Sequence, residues 1–175
     1  EDITFVQMDY GASIAALDKG TIDGSYMDHY NKRKFEEIGA NILVDGEDAK
    51  TRKEIFGSDK FEASIITATK KFVDENPEIV QKFVNATVKG AKWTQEHSDK
   101  EVAEVLAPLY DGMPMETLIE KIELSRMAFT PDCLISEEGY EAMENFSLKS
   151  GVLKKEIGYE NIIDMTFVEK ANKSN

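Results

Sequence analysis

The residues best equipped to bind a ligand fall in two short stretches near the start of the chain, Asp9-Tyr10-Gly11-Ala12-Ser13 and Asp28-His29-Tyr30-Asn31. Carboxylates accept hydrogen bonds, hydroxyls give or take them, and tyrosine rings offer flat apolar faces with a polar edge. Those groups suit noncovalent capture of a small molecule. Tyr10 and Tyr30 would wall or stack a planar ligand, Asp28 would accept a hydrogen bond from it, Ser13 would donate one, and His29 stands between Asp28 and Tyr30. Gly11 lets a backbone approach closely. Ser13 could equally do no more than cap the helix that follows it. Tyr26 and Asp28, two apart, share one face of a strand, so at least one tyrosine belongs to the core.

Reactive chemistry finds less support. Asp9, Asp28 and His29 are a thin metal set, with no HxH or HExxH spacing and no second histidine nearby. The chain has no GxSxG, no GxGxxG and no Walker loop. Cys133 is the only cysteine, which excludes an internal disulfide, a CxxC pair and a thiolate-rich metal centre. With two histidines in the chain to activate it, it reads as a small half-buried side chain. His97, beside Ser98, reads as a surface residue at a helix end. No catalytic residue, metal or cofactor is expected.

The elements that would position the two stretches alternate in type. Ile3 to Met8 is β-branched and aromatic enough for a buried strand, with Asp9 to Gly11 as its turn. Ser13 to Leu17 reads as a short helix closed by Gly20, Ile22 to Met27 as a strand, Lys32 to Ile38 as a helix closed by Gly39, and Asn41 to Val44 as a third strand. Such βαβ units predict a parallel sheet with right-handed crossovers. Ligands of parallel sheets sit outside the carboxyl ends of the strands, where both stretches fall.

Residues 45–60 are polar and glycine-punctuated and read as a loop, and Ala63 to Thr69 as one more strand. Beyond it the pattern turns helical. Asn76-Pro77-Glu78 opens one helix, with Val80, Phe83, Val84, Thr87 and Ala91 on one face. Ser98 to Glu101 has capping-box spacing ahead of Val102, Val105, Leu106 and Leu109. Pro114 opens a third helix with Leu118, Ile119 and Ile122, and Ser136 caps a fourth with Tyr140, Met143 and Phe146 inward, ended by Gly151.

The chain has 175 residues, 41% of them hydrophobic, enough for one domain or two modest ones. Thirty-four acidic against twenty-one basic residues leave a formal charge of −13. Such a surface repels phosphate backbones and anionic lipid, so neither nucleic acid nor a membrane surface is an expected partner. No stretch approaches the ~20 apolar residues of a membrane span, and no signal peptide precedes Glu1. The chain opens within an expected strand and without methionine, as a mature or trimmed fragment does.

The order of these elements is familiar. "SIAALDKGTIDGSYMDHY", then "FEEIGANILVDGED", then "ASIITATKKFVDENPEIVQKFVNATVKGAKWTQEHSDKEVAEVLA" resemble the C-terminal part of ABC-importer solute-binding proteins of the nitrate/sulfonate/taurine and thiamine-precursor group, the NMT1/THI5-like family. The stretch from Asn161 to Val168 also resembles that family's C-terminal end. The resemblance implies an α/β fold of the periplasmic binding protein type II kind, with two lobes closing on a small molecule that a membrane permease receives. Residues 1–60 would be the C-terminal portion of the second lobe, and 61–175 the crossover strand and the helical C-terminal portion of the first. A first-lobe segment of about 100 residues would lie outside the chain, leaving apolar surface able to dimerise or swap segments. The resemblance also implies an extracytoplasmic location. Asp9, Asp28 and the tyrosines favour a neutral or cationic aromatic solute, such as a thiamine-pyrimidine, over nitrate or a sulfonate, which call for Arg or Lys. Two alternatives share the fold. One is a ligand-sensing regulatory domain, and the other a pyrimidine synthase, which relies on a cysteine-rich motif and active-site histidines that Cys133 alone does not provide.

Overall fold

Side-chain caps mark the starts of several helices, Asp9, Asp48, Thr69, Ser98 and Ser136 each accepting a backbone N–H of the first turn that follows. The computed structural model describes residues 2–28, 31–46, 48–60, 64–126 and 130–174. It divides into two compact units, Glu1–Val44 and Asp45–Asn175.

In the first unit, Asp9 is the N-cap of α1 (Tyr10–Asp18), its Oδ1 accepting the Ala12 N–H at 2.8 Å. Asp9 and Tyr10 are therefore the start of a helix, where the sequence suggested a turn. Helix α2 (Lys32–Glu37) buries Phe35 and ends ahead of Gly39, whose φ of 77° suits glycine.

Neither the parallel sheet expected from residues 3–8, 22–27 and 41–44 nor the further strand expected over 63–69, of which Ala63 lies outside the described residues, is seen. Among the described residues there is no β-strand. Phe5 is 93% exposed and Leu43 92%. β-Branched and aromatic composition reports how well a segment suits a pleated, half-buried surface, whereas a strand also needs a neighbour to take its N–H and C=O groups.

The second unit is helical. Residues 45–60, expected as a loop, contain α3 (Ala49–Phe56), capped by Asp48, which accepts the Thr51 N–H at 2.7 Å, and closed by Gly57 at φ 87°. The Asp48-x-x-Thr51 spacing was there to be read, but neighbouring glycines and charges masked it. Helix α4 (Lys70–Glu75) follows, capped by Thr69. Helix α5 (Pro77–Glu96) begins at its proline as expected, although Asn76 supplies no side-chain cap and instead donates to the Phe72 carbonyl. Helix α6 (Asp99–Leu106) carries the full Ser98/Glu101 capping box. Helices α7 (Met115–Arg126), α8 (Glu137–Lys149, capped by Ser136), α9 (Tyr159–Ile162) and α10 (Thr166–Ser174) complete it.

Among the described residues, two apolar clusters hold this unit. Val102 and Ala103 of α6 pack on Leu118 and Ile122 of α7, with Trp93 and Leu106 at the edge. Val88 of α5, fully buried, packs on Val168 and Ala171 of α10. The buried stripe of α5 therefore centres on Val84 and Val88, and Phe83, expected inward, is exposed. Val105, Leu109 and Phe146 are likewise exposed, although the Phe146 ring meets Phe56 edge-on at 5.1 Å.

Polar groups fasten the joints between helices. The Arg126 guanidinium receives the α5 C-terminus by donating to the Thr94 and His97 carbonyls, and it pairs with Asp99 through Nε at 2.8 Å. Glu144 Oε1 accepts the Ile157 and Gly158 N–H groups at 2.7 and 3.1 Å and the Tyr140 hydroxyl at 2.8 Å. Those backbone bonds hold the Glu144 carboxyl below the usual glutamate range. Burial first, then Glu144, pushes the Tyr140 phenol up to about 12.

Candidate functional site

The second expected strand leads into Asp28. Its Oδ1 accepts the Asn31 backbone N–H at 3.0 Å and the Asn31 side-chain amide at 2.8 Å. This pair of bonds ties Asn31, the N-cap residue of α2, to Asp28 and sets the orientation of the carboxylate.

Tyr10, in the first turn of α1, meets that carboxylate. Partial burial first, then the Asp28 charge, the neighbouring Tyr26 and a side-chain hydrogen bond to Asp28 raise the Tyr10 phenol above its ordinary value. The Tyr10 and Tyr26 rings lie 6.4 Å apart between centroids, tilted by 38°. Tyr10, Tyr26, Asp28 and Asn31 thus form one cluster with two aromatic rings and a fixed carboxylate. Tyr26 is 78% exposed, so the cluster opens to solvent.

Of the five residues expected to bind ligand, Tyr10 and Asp28 come together. Ser13 is buried, and its hydroxyl donates to the Tyr10 carbonyl at 2.9 Å within α1. It neither caps α1, which Asp9 does, nor turns outward. His29 and Tyr30 lie outside the described residues. Tyr26 and Asn31 join the cluster without having been singled out as ligand-binding. Their signals were the Tyr26-x-Asp28 alternation and the Asp28-x-x-Asn31 turn spacing.

Elsewhere, reactive side chains are engaged structurally. His97 caps α5, its Nδ1 2.8 Å from the Trp93 carbonyl, with its ring stacked on the Trp93 indole at 4.2 Å. Half-buried Cys133 has its thiol pushed up, first by burial and then by Asp132. Such a shift disfavours the nucleophilic thiolate. A shallow groove of about 310 Å³ between α5 and α10 has Gln81 and Phe167 among its lining residues, with Glu78, Lys82 and Lys170 beside them.

Residues 1–101 match the NMT1/THI5-like family, and the chain belongs to it. A periplasmic-binding-protein-like fold goes with that membership. The chain is 26% identical over 178 residues to "Putative binding protein YtlA" of Bacillus subtilis, covering 97% of this chain and 50% of that protein. It is 24% identical over 173 residues to a "Putative aliphatic sulfonates-binding protein" of the same organism, covering 97% and 48%. The chain thus spans about half the length of the curated relatives it matches. No solved structure matches it.

Proposed function

We propose that this chain belongs to the extracytoplasmic solute-binding component of an ABC importer, and that its solute is a thiamine-pyrimidine-like or other small aromatic or amine-bearing molecule. Membership of the NMT1/THI5-like family and two relatives named as binding proteins support the class. The observation that carries the ligand reading is the Tyr10 and Tyr26 ring pair beside an Asp28 carboxylate that Asn31 orients, at the two segment ends expected to face a ligand. Residues 1–60 then contribute to the second lobe and 61–175 to the crossover and the first. Solute binding shifts a hinge equilibrium towards a closed form that ABC permease subunits receive, without covalent chemistry.

A second reading takes its support from the relative named for aliphatic sulfonates. A sulfonate would need donors or cations where this cluster presents a carboxylate, so the aromatic or amine solute is the reading we keep. Calorimetry with an aminopyrimidine and with ethanesulfonate decides between them, tighter binding of ethanesulfonate overturning the preference. Asp28→Ala should weaken binding of the aminopyrimidine by more than ~1 kcal/mol, the scale of one net hydrogen bond. Unchanged affinity would remove Asp28 from the site.

A further inference from the structure

We infer that the Tyr10, Tyr26 and Asp28 cluster is a seat for a positively charged nitrogen, so that the solute carries an ammonium group. This inference rests on the small-molecule reading above and narrows it.

Three observations point the same way. The two ring centroids, 6.4 Å apart, are close enough for one nitrogen to lie within about 6 Å of both, the range over which an aromatic ring attracts a cation. The carboxylate is oriented before any ligand arrives, because two donors from Asn31 hold Oδ1. A carboxylate has about four acceptor positions, so the two Asn31 donors leave capacity for an N–H from the ligand. A neutral aromatic would use the rings and forgo most of what the charge offers. An anion would meet the Asp28 carboxylate in a chain whose formal charge is −13.

The contacts expected at the nitrogen are therefore of two kinds, a charge-assisted hydrogen bond to Asp28 and the faces of two rings. A primary or secondary ammonium takes both, whereas a quaternary one takes the rings and the charge without the hydrogen bond.

Three probes of one shape separate the possibilities: benzylamine, benzyl alcohol and benzenesulfonate, titrated into the full chain by calorimetry at neutral pH. Benzylamine should bind about tenfold more tightly than benzyl alcohol, the factor that one hydrogen bond to a charged group supplies. Asp28→Asn should erase that advantage. Because the Tyr26 side chain stands largely in solvent, Tyr26→Ala keeps the fold and should weaken benzylamine several-fold, which covers the case in which the Asp28 variant fails to fold. Equal binding of amine and alcohol would overturn the ammonium seat and leave the solute-binding reading standing. Preference for the sulfonate would overturn the seat and the aromatic or amine solute together. Binding of none of the three, or an amine preference that survives Asp28→Asn, would overturn the seat outright.

Discussion

In Asp45–Asn175, apolar side chains find one another across helices, Val102 with Leu118 and Val88 with Val168. In Glu1–Val44, Phe35 is the one large apolar side chain among the described residues that is buried, while Ile3, Phe5 and Leu43 stand in solvent. The difference follows from what each kind of segment needs. A helix satisfies its own backbone and asks a neighbour only for an apolar face. A β-type segment asks its neighbour for a ladder of hydrogen bonds as well, and its apolar side chains stay uncovered until that ladder exists.

Truncating the helical core tests the contrast most severely. Leu118→Ala should cost about 2–5 kcal/mol in urea unfolding followed by circular dichroism. Phe5→Ala, made in parallel, should stay within about 0.5 kcal/mol. A Phe5 cost approaching that of Leu118 would mean Phe5 is covered in solution, and the contrast between the units would go. Next in size is Arg126→Ala, which strips a cation from Asp99 and the α5 C-terminus and should cost roughly 1.5–3 kcal/mol by the same assay. Arg126→Lys should recover little of this, since an ammonium cannot fork to several acceptors in a plane.

Ser98→Ala removes the cap of α6 and should cost about 1 kcal/mol. At neutral pH the Glu144 clasp shows no pH dependence at all, and acid reveals it. Its folded carboxyl titrates below the unfolded value of about 4.3, so its stabilisation is whole above that pH and is lost as pH falls through the folded value. The melting temperature of the native chain should therefore fall more steeply between about pH 5 and pH 3 than that of Glu144→Gln. Equal slopes would show that the bonds to Ile157 and Gly158 do not depend on the charge.

The helical unit was largely legible in the sequence because its signals are short-range. Pro77 opens α5, the Ser98 and Glu101 pair frames α6, and Ser136 starts α8, each within one turn of the helix it controls. Helix α3 escaped because Asp48 and Thr51 sit among glycines and charges of the kind that mark loops. The inward face of α5 was misplaced by about one residue, since periodicity gives a stripe and the partner helix α10 chooses its centre. At the candidate site, side-chain type singled out Tyr10 and Asp28, which the fold brings near one another. Ser13 misled because a hydroxyl in the first turn of a helix can serve that helix's own carbonyls, and nothing in its neighbours says which way it turns.

The packing of α10 on α5 has a consequence for how the chain is made. The Gln81 side chain donates to the Phe167 carbonyl, 86 residues further along, and Val88 waits for Val168 over a similar span. On a ribosome, α5 emerges with its apolar stripe bare and stays so through the synthesis of α6, α7, α8 and α9. For those seconds Val84 and Val88 are open to chaperones or to other nascent chains. Helix α5 is thus completed only by α10, and the interval between them is when the protein is easiest to lose.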